Sequence, residues 1–124
     1  MTRVTDAAPA YEAYQEASAL LAVGSHDAAM SSINGALNLL YHEAQFHGLR
    51  GAIRMAQNRY GDAVTNFDRA INFDPTYLAY CLHRGAGQVK QGSRMAARDD
   101  LQRLMQLLPT AQAQRLLREI SLTQ

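Results

Sequence analysis

The stretch Ala44–Pro75, AQFHGLRGAIRMAQNRYGDAVTNFDRAINFDP, constrains this chain more than any other. Its first half carries Gly51 within a helical pattern, a short break falls at Asn58, and a second helical pattern with Ala63, Phe67 and Ala70 runs to Pro75. Small and apolar residues returning at helical intervals on both sides of a break specify two helices folded back on each other.

The spacing of Gly51, Ala63, Phe67, Ala70 and Pro75 resembles the tetratricopeptide repeat, a helix-turn-helix unit of about 34 residues whose pattern ends in A-x3-F and a later Pro. Displaced one unit backwards, the frame falls on Ala17, Gly24, Ala29, Ile33 and Ala36. Displaced forwards it falls on Gly85, Gly92, Ala97, Leu101, Leu104 and Pro109. The registers agree without a gap from about Ala10 to Pro109. The resemblance implies an all-α fold, a right-handed superhelical solenoid of three helix hairpins (10–43, 44–77 and 78–109) closed by a seventh, solvating helix over 110–122. Residues 9–122 then form one domain, and residues 1–8, polar and without a period, read as a loose tail.

Within that frame the local chemistry is consistent. Pro9 suits a first helical turn, where its missing N–H costs nothing. A helix over Ala10–Val23 ends at Gly24, which tolerates a left-handed turn, and a second over His26–Leu39 places Ala29, Ile33, Ala36, Leu37 and Leu40 on one buried stripe. Gly35 inside it weakens the helix by about 1 kcal/mol against Ala. Tyr41 stands where the later repeats have Pro75 and Pro109, and the third repeat begins near Tyr77. Ala113, Leu116, Leu117 and Ile120 give the last helix an apolar stripe with which to cover the end of the stack.

Composition narrows the function classes. A chain of 124 residues with 48% hydrophobic side chains holds three repeats and leaves no room for a separate catalytic domain. Twelve basic and eleven acidic residues nearly cancel, so no overall field draws it to nucleic acid or anionic lipid. From Leu78 onward seven basic residues meet three acidic ones, which reads as a solvated helix surface. The start MTRVTDAAPAYEAYQ has no apolar core segment and resembles neither a signal peptide nor a membrane anchor. With the single Cys81, which excludes an intrachain disulfide, it points to a reducing, cytoplasmic setting.

The candidate chemistries are weak. Among His26, His42, His47 and His83 no pair has the i, i+4 spacing of two ligands on one helical face, so neither metal nor cofactor is expected. Cys81 reads as a structural thiol, and Gly85-Ala86-Gly87 lacks the following GK[ST] and preceding strand of a phosphate loop. No Ser, His and acidic residues form a hydrolase motif, so the chain is expected not to be an enzyme. Arg50 and Arg84 share one repeat position, which points to structure: Arg84 is expected to pair with Asp100, and Arg50 with Asn66 or Asp68.

In tetratricopeptide repeats the first helix of each hairpin lines a concave wall. Carried over by position, the resemblance offers Tyr11, Tyr14, Gln15, Ser18, Leu21 and Ala22 from the first repeat. The second offers Gln45, Gly48, Leu49, Ala52, Met55 and Ala56, and the third Ala79, Leu82, His83, Ala86, Val89 and Lys90. Members that grip the acidic C-terminal tails of heat-shock chaperones use Lys, Asn and Arg at clamp positions. Tyr14, Ser18, Leu49, Ala79 and His83 stand there in this chain, so such tails are not expected as ligands. What remains is a mostly apolar trough with Tyr and Met to adapt around a partner, similar to the small three-repeat chaperones of bacterial secretion systems. The expected function is a protein-interaction module, an adaptor, scaffold or small chaperone that binds a segment with apolar anchors. The alternative is a structural unit that self-assembles into homo-oligomers.

Overall fold

The computed structural model describes residues 4–122. After a 3-10 turn at Val4–Asp6 come seven helices: α1 (Ala7–Ala22), α2 (His26–Leu39), α3 (Ala44–Ala56), α4 (Tyr60–Phe73), α5 (Ala79–Gln91), α6 (Arg94–Leu107) and α7 (Ala111–Leu122). No strand occurs among the described residues. The pairs α1/α2, α3/α4 and α5/α6 form hairpins, and the odd-numbered helices also pack along the stack, α1 on α3, α3 on α5 and α5 on α7. The result is an all-α solenoid whose odd helices form the inner wall.

The loose tail expected over 1–8 differs from what is found. Residues 1–3 lie outside the described residues, Val4–Asp6 makes the 3-10 turn, and Ala7 and Ala8 already belong to α1. Two alanines are strong helix formers, and a helix can begin two residues before Pro9 because no N–H of the first turn has an intrahelical acceptor to lose.

The period is written in the backbone. Gly24, Asn58 and Gly92 take left-handed φ values of 82°, 61° and 87°. In each turn the following N–H reaches back across the helix end, Ser25 to the Leu20 carbonyl (2.9 Å), Arg59 to Arg54 (2.8 Å) and Ser93 to Gln88 (2.9 Å). This closure satisfies carbonyls the helix leaves unpaired and reverses the chain. At the opposite end, the N–H groups of Leu40, Asp74 and Leu108 bond to Ala36 (2.9 Å), Ala70 (2.9 Å) and Leu104 (2.7 Å). Pro75 and Pro109 follow two of these bonds, and Tyr41 takes the corresponding place in the first loop without disturbing the third.

Helix crossings depend on small residues. Ala17, Ala29, Ala36, Ala63, Ala70 and Ala97 are fully buried. A Cβ on Gly51 would lie 2.5 Å from the Phe67 ring, and one on Gly85 2.9 Å from a Leu101 methyl, so each glycine is the floor on which a partner side chain of the same hairpin rests. The core clusters run from Ala10, Ile33, Leu37, Phe46 and Ile53 at the N-terminal end to Leu101, Leu104, Ala113, Leu116 and Ile120 under α7.

Two arginines tie successive outer helices together. Arg84 donates two hydrogen bonds to Asp100 (Nε to Oδ2 2.7 Å, a terminal nitrogen to Oδ1 2.9 Å) and a third to Asp68 (2.9 Å). Arg50 donates to Asn66 (2.6 Å) and Asn34 (3.1 Å) in the same pattern one repeat earlier. Burial pushes the Arg50 pKa down; for Arg84 the same desolvation is outweighed by the two carboxylates, and its pKa rises.

Gly35 has open space where a Cβ would stand, so Gly35→Ala should raise stability by about 0.5–1 kcal/mol in urea unfolding, whereas Gly51→Ala should cost about 1–3 kcal/mol. A double-mutant cycle of Arg84→Ala and Asp100→Ala should give a coupling of about 0.5–3 kcal/mol, and additive losses would mean the bidentate pair contributes nothing.

Candidate functional site

A trough of about 900 Å³ opens on the inner wall. Its floor comes from α3 and α5: Leu49, Ala52 and Met55 from the former, Tyr80, His83 and Ala86 from the latter, with Phe67 of α4 behind them. Its mouth lies where the inter-repeat loops gather, with His42 and Glu43 before α3, Phe73 and Asp74 at the end of α4, Tyr77 before α5 and Gln112 in the first turn of α7. Tyr14 closes the side nearest α1, and Ala44, Gln45 and Gly48 complete the lining.

Of the residues expected on the inner wall, Tyr14, Gln45, Gly48, Leu49, Ala52, Met55, His83 and Ala86 come together here. Tyr11 lies outside the lining, with its ring edge-on to Phe46 (centroids 5.2 Å apart) and its hydroxyl donating to Glu43 Oε2 at 2.6 Å. Gln15, Ser18 and Ala22 are exposed on α1 away from the trough, and Leu21 packs on the N-terminal core. Ala56 is exposed at the end of α3, Ala79 is half-buried outside the lining, and Lys90 points to solvent near the end of α5.

Leu82 and Val89 are also absent from the lining. Both pack on the cluster of Leu101, Ala113, Leu116 and Ile120. The reason is α7: it lies against α5 as well as α6 and takes over the inner face that the third repeat would otherwise present. The trough is centred between α3 and α5, with Tyr14 of α1 and Gln112 of α7 at its sides.

Tyr80 is the principal residue that positional reasoning missed. A Cβ on Gly48 would lie 2.6 Å from its ring, so the side chain of α5 occupies the gap that the glycine of α3 leaves. Its exposure is 7% and its ring stands edge-on to Tyr77 at 4.8 Å. Burial first, then the negative charge of Asp74, with smaller contributions from Tyr77, Tyr14 and Glu43, push its phenol up to about 12. The available signal in the sequence was the bare Gly48 one turn before Ala52, which calls for a large side chain from the next repeat.

Behind the mouth, His47 is fully buried between Tyr41 and Phe73. Its Nε2 lies 2.6 Å from the Tyr41 carbonyl, so Nε2 carries the proton and donates, while the buried Nδ1 has no partner. Desolvation holds its pKa below the ordinary histidine value. The pKa of His83, against Phe67 at 5.7 Å, is lowered by desolvation as well. Burial raises the Cys81 thiol, the opposite of what a nucleophile needs. Among the described residues no three His, Cys, Asp or Glu side chains gather where they could hold a metal ion, and no helix is long and apolar enough to cross a membrane.

Stability should fall as pH drops below about 6.5, because the unfolded chain then binds a proton that His47 resists in the fold; His47→Phe should flatten that part of the profile. At the alkaline end Tyr80 favours its neutral form in the fold. Its contribution should be complete below about pH 10 and lost as pH climbs towards 12, with Tyr80→Phe less sensitive over that window in denaturant titrations.

No family model matches the sequence, and no curated protein matches it. Solved structures do match in three dimensions. The tetratricopeptide-repeat domain of Arabidopsis OM64 superimposes with a TM-score of 0.89 over 96% of this chain and 99% of that one, at 15% identity. The second such domain of human RPAP3, solved in complex with the HSP70 peptide SGPTIEEVD, gives 0.87 over 94% and 98%, at 19% identity. The Yersinia enterocolitica type III secretion chaperone SycD, in complex with a peptide of the translocator YopD, gives 0.82 over 91% and 92%, at 17% identity. This chain therefore has the fold of a tetratricopeptide-repeat domain, three hairpins and a closing helix.

Proposed function

We propose that this protein is a non-enzymatic interaction module that holds a segment of another protein in the trough between α3 and α5. The observation that carries the reading is the trough itself: about 900 Å³, open at its mouth, floored by Leu49, Ala52, Met55 and Ala86 and walled by tyrosines. Flexible Met and broad, amphipathic Tyr are side chains that adapt to a guest chain. Two proteins of the same fold, RPAP3 and SycD, have been solved with peptides bound, which supports a peptide as the class of guest. Acidic tails of the HSP70 kind are a poor match for this trough, because no Lys or Arg lines it and Tyr14, Leu49 and His83 stand where the resemblance places the cations of a carboxylate clamp.

Self-association is the second reading. Met95 (80% exposed), Leu107 (63%) and Leu108 (51%) leave apolar surface on the last hairpin, away from the trough, that a second copy could cover.

Pull-down from the native cell, with Met55→Glu and Ala52→Glu as controls, tests the first reading. Both substitutions place a charge on the trough floor and should abolish capture of the partner while leaving the circular dichroism spectrum unchanged. Equal recovery by parent and variants would refute the trough as the binding surface, and concentration-dependent growth on gel filtration would favour self-association.

A further inference from the structure

The carboxylates of this protein differ in setting: Glu12, Glu16, Asp27 and Asp99 are exposed to solvent. On the outer helices Asp68 and Asp100 are paired with Arg84, and Asp62 with Arg59 at 2.6 Å. At the mouth of the trough Glu43 and Asp74 are both half-buried, and among the described residues neither is paired with a cation. Each is nevertheless fixed: Glu43 Oε2 accepts the Tyr11 hydroxyl, and Asp74 Oδ1 accepts the Thr76 N–H at 3.2 Å and its hydroxyl at 2.6 Å. No Lys or Arg is among the residues that line the trough.

We infer that the guest segment carries a Lys or Arg beside its apolar anchors, with the cationic head at Glu43 and Asp74 and the apolar side chains on the floor. This rests on the reading of the trough as a peptide site and adds the charge of its guest. Two half-buried carboxylates without counter-ions at one mouth form a region of negative potential that a cation neutralises and an acidic peptide meets with repulsion. Both line the same trough as Tyr80 on its floor. Tyr77, 54% exposed beside them, offers ring surface for the stem and head of a long basic side chain, by packing and by cation–π attraction.

The test pans a displayed library of random twelve-residue peptides on the full chain, with counter-selection on Met55→Glu. Enriched peptides should carry Lys or Arg adjacent to apolar residues. They should bind the Glu43→Gln, Asp74→Asn double variant about fivefold or more weakly than the parent at low salt, a gap that narrows as salt rises. Both substitutions remove charge and keep the oxygen that accepts from Tyr11 or Thr76. Asp62→Asn, which removes a carboxylate on the outer surface, should bind as the parent does.

Enrichment of uncharged or acidic peptides overturns the inference and leaves the peptide trough standing. Equal affinity of the double variant and Asp62→Asn does the same. If nothing is enriched over Met55→Glu, or if a second copy of the chain blocks the trough, the trough reading falls and this inference with it. The composition of the enriched peptides is read on the parent protein alone, so the test holds whether or not the double variant folds.

Discussion

The fold depends on how closely two helix backbones can approach within a hairpin. Where Gly51 meets Phe67 and Gly85 meets Leu101, the absence of a Cβ lets a large side chain lie directly on the opposing backbone. The buried alanines at the facing crossings hold the axes at that short separation. The angle so fixed is repeated along the stack. Because the left-handed turns at Gly24, Asn58 and Gly92 reverse the chain at the same phase, each hairpin delivers its successor in the same orientation. The curvature of the inner wall follows from these two constraints together.

The polar groups are distributed to match. On the outside, Arg84 spans from Asp68 to Asp100, and Arg50 does the same with neutral Asn34 and Asn66, so the outer helices are stitched at one height by a guanidinium. On the inside, the polar groups of the lining are phenols, two imidazoles, two amides and the two carboxylates at the mouth. Buried His47 makes a single hydrogen bond, to the Tyr41 carbonyl, which fastens the first inter-repeat loop to α3 behind the trough.

Much of the fold was legible in the sequence because steric demands leave few alternatives. A small residue at Gly51 and a turn former at Asn58 return with their equivalents at a fixed interval, and nothing but stacked hairpins satisfies all of them at once. The Arg84 and Asp100 pair was readable for the same reason, as a repeat position with one complementary partner across the hairpin. The trough was legible only in part. Counting positions along the odd helices finds Leu49, Ala52, Met55 and His83, but it treats every repeat as equal. It misses the loop residues His42, Glu43, Phe73, Asp74 and Tyr77, which reach the mouth only once the hairpins are stacked. It also misses that α7 turns onto α5 and that Tyr80 fills the space left by Gly48, since both are contacts between elements far apart in sequence.

The position of α7 has a further consequence. By occupying the inner face beside Leu82 and Val89, it acts as an end-stop: the floor that begins at Leu49 ends at Ala86, with Gln112 at its far edge. On the proposed reading of the trough as a peptide site, such a floor would grip only a short stretch of a guest and leave the flanking portions at liberty.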